Sequence, residues 1–175
     1  MAPVASKMSP LSTEDNFNFL PQGAIIQEFK VKGHNIVQSF PRAELYNDAP
    51  FFGETIGRTS NRIENATINS LNGRSYKLAA NNGPNSLHGG NIGFGKRPFN
   101  GPQPVERGGR EAVKFTYLSP DGEEGYPGSI ELRVWYTAWE DGEDGVSKVY
   151  LEAEYEVEMV GEECEETVVG ITNHR

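Results

Sequence analysis

Between Ile130 and Met159 the chain alternates apolar and polar residues in two successive runs, and that period of two limits what it can fold into. Ile130, Leu132, Val134, Tyr136 and Ala138 share one side of the first run. Leu151, Ala153, Tyr155, Val157 and Met159 share one side of the second. A strand turns successive side chains to opposite faces, so each run offers one apolar face to a core. The EDGEDG segment between them reads as a turn. The same period marks Ala112 to Leu118, where Val113, Phe115 and Tyr117 oppose Lys114 and Thr116. No stretch carries the 3.6 period of a long helix, and no internal repeat is present. With 20 glycines and 11 prolines to supply turns, the expected fold is all-β, an antiparallel β-sandwich of at least seven short strands.

The second faces of these strands differ. Glu152, Glu154, Glu156 and Glu158 form a solvated face that discourages edge pairing. Beside Ile130–Ala138, the outer face carries Trp135 and Trp139, which implies a covering layer there, or else a surface on which a sugar stacks. Residues 1–20 are polar and without period, and are expected to be flexible, leaving 21–175 as the domain. Lys32-Gly33 reads as a hairpin turn between a strand with Ile25, Phe29 and Val31 on one face and a second opening at Ile36 and Val37. His34 at that turn is expected to be exposed. Asn72-Gly73 is a second hairpin signal. Residues 98–111 read as a turn-rich connection, and Thr167 to Thr172 as a last strand before Asn173 and His174.

Formal net charge is −9, and twelve of the 25 acidic residues lie between Glu140 and Glu166. That argues against nucleic acid and anionic membrane surfaces as partners. No stretch approaches the roughly 20 apolar residues of a membrane-spanning helix. The first residues lack the apolar run of a signal peptide, so the expected location is cytoplasmic. Cys164 is the single cysteine and permits no internal disulfide.

Asn81 to Arg97, NNGPNSLHGGNIGFGKR, differs from its surroundings. Five glycines and a proline shape a loop that carries four asparagines and His88. Gly90 to Lys96 imitates the glycine-rich loop of nucleotide-binding proteins, but Arg97 and Pro98 stand where a hydroxyl and a helix start are needed, so that motif is rejected. Three histidines and one cysteine show no zinc spacing, and neither a metal nor an organic cofactor is expected. Arg58 and Arg62 stand four apart and share a face whether the segment is helical or extended. Surface salt bridging is the ordinary expectation for both. Asn61, Asn81, Asn82, Asn85 and Asn173, with these arginines and with His88 and His174, suit a polyhydroxylated ligand, whose paired hydroxyls both donate and accept.

Phe52-Gly53, IGRTSNRI, LNGRSYKL, NNGPNSLHGG, GFGKR, LSPDGEEGYPG and VGITNH run in one order from about Gly23 to His174. Together they resemble the aldose 1-epimerase (galactose mutarotase) family. The resemblance implies a galactose-mutarotase-like supersandwich, incomplete at the C-terminus, and a small-molecule hexose such as galactose or glucose as ligand. It implies interconversion of α and β anomers by ring opening, with His174 as general acid and His88 beside the ring oxygen. Asn61 and Arg62 would hold ring hydroxyls, without cofactor. The family's general base, a glutamate, and a sugar-binding aspartate lie in a later part with no counterpart here. The expectation is therefore an N-terminal part of such an enzyme, inactive alone. A non-catalytic carbohydrate-binding or regulatory protein on the same fold is the alternative. So is a hexose-6-phosphate 1-epimerase, which would use Lys96 and Arg97.

Overall fold

The two alternating runs form one long hairpin. β9 (Ile130–Glu143) and β10 (Val146–Met159) pair antiparallel from Ile130 opposite Met159 to Glu143 opposite Val146. The structure, a computed structural model, describes residues 16–48, 51–143 and 146–174. β8 (Arg110–Ser119) lies on the other side of β9, and β7 (Asn100–Arg107) on the far side of β8, giving a four-stranded sheet in the order β10-β9-β8-β7. A three-stranded sheet is built from β1 (Phe17–Leu20), β2 (Ile25–Val31) and β3 (His34–Asn35). Two strand pairs complete the described residues: β4 (Thr55–Ile56) with β11 (Thr172–Asn173), and β5 (Thr67–Leu71) with β6 (Arg74–Lys77).

The core lies where the period of two placed it. Ile130, Leu132, Val134 and Tyr136 are fully buried on one face of β9, with Val113 and Phe115 from β8. Phe19, Ala24 and Ile26 cover them from the three-stranded sheet. The Tyr136 hydroxyl donates to the Ala24 carbonyl at 2.7 Å, which ties the two layers together. Leu151, Ala153, Tyr155, Val157 and Met159 of the edge strand β10 pack on this core but are only half-buried.

Several expectations are corrected. Of residues 1–20, 1–15 lie outside the described residues, but Phe17 to Leu20 is a strand paired with β2. Its Phe17 and Phe19 alternate with Asn18, a signal too short to read alone. Ile26, not only Ile25, is buried, because β2 is covered on both sides. The Lys32-Gly33 turn stands, but the return strand is His34–Asn35, and Ile36 is 59% exposed. His34 is exposed as expected. Residues 100–107, read as a connection, form β7; Pro102 and Pro104 are tolerated because the strand is an edge. The Asn72-Gly73 hairpin is present, both residues at positive φ. Residues 167–171 form no strand; Gly170 makes an isolated bridge to Thr59, and the strand begins at Thr172. No second sheet covers the tryptophans among the described residues. Arg107 lies 4.0 Å from the Trp135 ring centre and Arg110 4.2 Å from that of Trp139, which also stacks on Tyr150. No helix of the described residues is long and apolar enough to cross a membrane.

Candidate active site

The loop 81–97 is tied internally before it meets anything else. Asn81 Nδ2 donates to the carbonyls of Leu87 (2.9 Å) and Gly90 (2.5 Å), and its Oδ1 accepts the Leu87 N–H at 2.7 Å. This folds the loop so that His88 sits at its bend with φ +53°. Gly89 follows at φ +84°, its Cα pressed toward the Gly57 carbonyl oxygen, where any Cβ would overlap. Glu124 holds the next stretch by accepting the Asn91 and Ile92 N–H groups at 2.9 and 3.0 Å.

His88 Nδ1 lies 2.8 Å from the Ser60 carbonyl oxygen. A carbonyl only accepts, so Nδ1 carries the proton and Nε2 of the neutral ring is left as an acceptor. Burial pushes the His88 imidazole below the usual histidine range; the Ser60 hydrogen bond opposes this, while His174 and Arg62 add to it. A neutral ring with a fixed tautomer results.

His174 reaches the same place from the other end of the sequence. Its N–H donates to the Glu54 carbonyl at 2.9 Å, and its carbonyl accepts the Gly53 N–H at 2.7 Å, extending the β4–β11 pairing. Asn173 Nδ2 adds a bond to the Gly53 carbonyl at 2.8 Å. The two imidazole centres stand 5.3 Å apart with planes at 86°. Phe51 touches both, 4.7 Å from His88 and 5.7 Å from His174. Asn173 Oδ1 and His174 Nδ1 are buried without a hydrogen-bond partner among the described residues. Such a pair of imidazoles can hold one proton donor and one acceptor on a single small polar ligand.

Asn61 and Arg62 follow Ser60 directly and are exposed beside His88. Arg62 Nε donates to Asn82 Oδ1 at 2.9 Å, while Asn61 Oδ1 accepts the Arg62 backbone N–H at 2.8 Å and lies 3.5 Å from Nη1. That orients the guanidinium and leaves further N–H donors uncommitted. The structure thus brings all four residues singled out in the sequence, His88, His174, Asn61 and Arg62, to one region.

Arg58 has a different fate. It is 1% exposed, and its guanidinium donates to the Pro127 carbonyl (2.7 Å), Thr167 Oγ1 (3.1 Å) and Ser119 Oγ (2.8 Å). The expected surface salt bridge is absent, and so is the shared face with Arg62, because the segment between them is neither helix nor strand. Asn81 and Asn85 serve backbone groups of the loop and of residue 65. Phe51, the Ser60 carbonyl, Glu54 and Lys96 were not legible as neighbours of the histidines. Their proximity depends on pairings 28 to 120 residues apart in sequence. Three or more metal-ligating side chains gather nowhere among the described residues.

Comparison with known proteins bears on this geometry. The profile of the family described as aldose 1-epimerase matches residues 14–175. Galactose mutarotase of Sus scrofa is 39% identical over 150 residues, which cover 85% of this chain and 39% of that protein. Among solved structures, galactose 1-epimerase from Lactobacillus acidophilus NCFM aligns with a TM-score of 0.61 at 29% identity, covering 69% of this chain and 36% of that one. The aldose epimerase homologue from C. elegans gives a TM-score of 0.59 at 33% identity, covering 69% and 38%. The chain spans about two fifths of the length of such relatives. On sequence and on fold alike, this chain belongs to the aldose 1-epimerase family of isomerases.

Proposed function

We propose that the chain carries the acid side of a site that interconverts the α and β anomers of a hexose such as galactose or glucose. In that reaction a base removes the anomeric hydroxyl proton while an acid protonates the ring oxygen. The bond between C1 and the ring oxygen breaks to an open-chain aldehyde, C1 turns about its bond to C2, and the ring closes on the other face. His174 is the general acid in this reading. His88, neutral and with Nδ1 committed to Ser60, offers Nε2 as acceptor and helps orient the ring. Arg62, its guanidinium held by Asn82 with a longer contact to Asn61, donates to ring hydroxyls. The observation that carries the proposal is the right-angled contact of His88 with His174, closed on one side by Phe51 and flanked by Asn61–Arg62.

The base is assigned to none of the carboxylates that reach the loop. Glu54 is committed to Lys96, Glu123 to Tyr117, Ser119 and Arg97, and Glu124 to the loop amides. These same bonds count against a hexose-6-phosphate as substrate, since Lys96 and Arg97 already face carboxylates. The chain by itself is expected to bind galactose without accelerating mutarotation, because a missing base forfeits about 10²–10⁴-fold in rate. Polarimetry on freshly dissolved α-glucose and NMR titration with galactose test this together. Saturable shifts at His88 and His174 without a rate above buffer are the expected result, and also describe a carbohydrate-binding protein. Absence of any sugar-induced shift would overturn the proposal. A protein-dependent acceleration abolished by His174→Ala would overturn the missing base and keep the acid.

A further inference from the structure

Lys96 stands near the end of the loop that carries His88, and it points inward. Its Nζ lies 2.5 Å from Glu54 Oε1 and donates to the Tyr46 carbonyl at 2.6 Å. The same ammonium is 5.2 Å from the centre of the Phe51 ring. Glu54 is fully buried, and its backbone carbonyl is the one that accepts the His174 N–H. Phe51 in turn is the ring that both imidazoles touch. One ion pair therefore joins the loop of His88, the strand end that holds His174, and the aromatic side chain between them.

We infer that Glu54 and Lys96 are positioning residues, whose buried pair fixes Phe51 against both imidazoles and so sets the spacing and orientation of the two rings. Stability alone gives little reason for such a pair. Taking two charges out of water costs about as much as their attraction returns, and apolar residues of the same volume often serve as well or better. The surroundings are nonetheless shaped to admit it. Gly95 has no side chain, and a Cβ there would overlap Glu54 Oε2. Burial pushes the Glu54 carboxyl up to about 7, with Lys96 opposing the shift. The ammonium also faces a π surface, which favours a cation over a neutral group there. What the pair supplies beyond stability is geometry: an ammonium held at three points cannot slide, and Phe51 rests on it.

The inference deepens the hexose reading, but its test needs no sugar. The ring protons of His88 and His174 lie close enough to Phe51 to feel its ring current, so their NMR shifts report its position. Phe51→Leu supplies the reference spectrum for a lost ring. In Glu54→Gln/Lys96→Met, which removes both charges and leaves no buried charge unpaired, the imidazole shifts of both histidines are expected to move toward that reference. Lys96→Arg, which keeps a cation over Phe51, is expected to restore them toward wild type. Should the double variant not fold, Glu54→Gln alone carries the test, with shifts in the same direction. Imidazole shifts unchanged in a folded variant, with only the melting temperature altered, would overturn the inference and reduce the pair to a structural bond. Failure of galactose to bind would overturn the hexose reading and leave these shifts as they are.

Discussion

Replacing Arg58 by methionine tests how much its buried, hydrogen-bonded guanidinium contributes to stability. The guanidinium is 1% exposed and donates to Pro127, Thr167 and Ser119, with a longer contact to the Ser119 carbonyl at 3.5 Å. Its nearest anionic support is indirect, since Ser119 Oγ donates to Glu123 Oε2 at 2.5 Å. Methionine fills most of the space but satisfies none of these acceptors. Orphaning a buried acceptor costs about 1–3 kcal/mol, and breaking a buried charged network about 3–5 kcal/mol. Taking about 4 kcal/mol as the expected loss, a domain of this size falls by roughly 8–16 °C in melting temperature. Urea unfolding followed by the fluorescence of Trp135 and Trp139 measures the loss, with an unchanged slope showing that the unfolding remains comparable. Arg62→Met is the control: its side chain is exposed, and a change within about 0.5 kcal/mol is expected. A loss below about 1 kcal/mol for Arg58→Met would refute the reasoning, because it would mean that the Arg58 acceptors find water or one another.

Asn81→Ala removes three hydrogen bonds that fold the His88 loop, and is expected to cost about 1–3 kcal/mol. The effect should be local, read as faster amide exchange at residues 87–90 with the long hairpin unchanged. Stability should also depend on pH through Glu54. Its carboxyl rises from an ordinary 4.5 to about 7 on folding, chiefly by burial, so between those values the folded chain holds a proton that the unfolded chain has released. That contribution is present below the unfolded value and is lost as pH rises through about 7. Glu54→Gln is therefore expected to flatten the decline over that window in urea unfolding, and a decline that persists unchanged would reject the assignment. His88 acts with the opposite sign. Its pKa lies below the usual histidine value, so the unfolded chain binds the proton more readily and stability rises with pH near that value.

The repeating pattern from residue 112 to 159 needed no structure to be read. A strand's period of two is local, and an apolar face must be buried whatever lies opposite, so β8, β9, β10 and the core face of β9 follow from the residues alone. Asn72-Gly73 is equally local, since positive φ at two consecutive positions suits few other residues. The proline-rich β7 was not legible, because only its place at a sheet edge makes those prolines tolerable. At the site, His88, His174, Asn61 and Arg62 were singled out by residue type and family pattern; the two imidazoles stand 5.3 Å apart, and the Arg62 charge acts on His88 from nearby. The division of labour between the two arginines was beyond any spacing argument. Arg58 and Arg62 have the same chemistry and lie four residues apart, yet one is sealed beneath the 119–127 turn and residue 167 while the other faces solvent. Likewise Lys96 sits in an imitation of a phosphate loop, and only the arrival of Glu54 from 42 residues away turns it inward. Local pattern was enough for the long alternating strands β8, β9 and β10 and for the groups with the right chemistry, but not for β1 and β7. Tertiary structure decided which charged groups are buried, because burial depends on what distant segments bring to the same point, and a pattern of near neighbours carries no record of that.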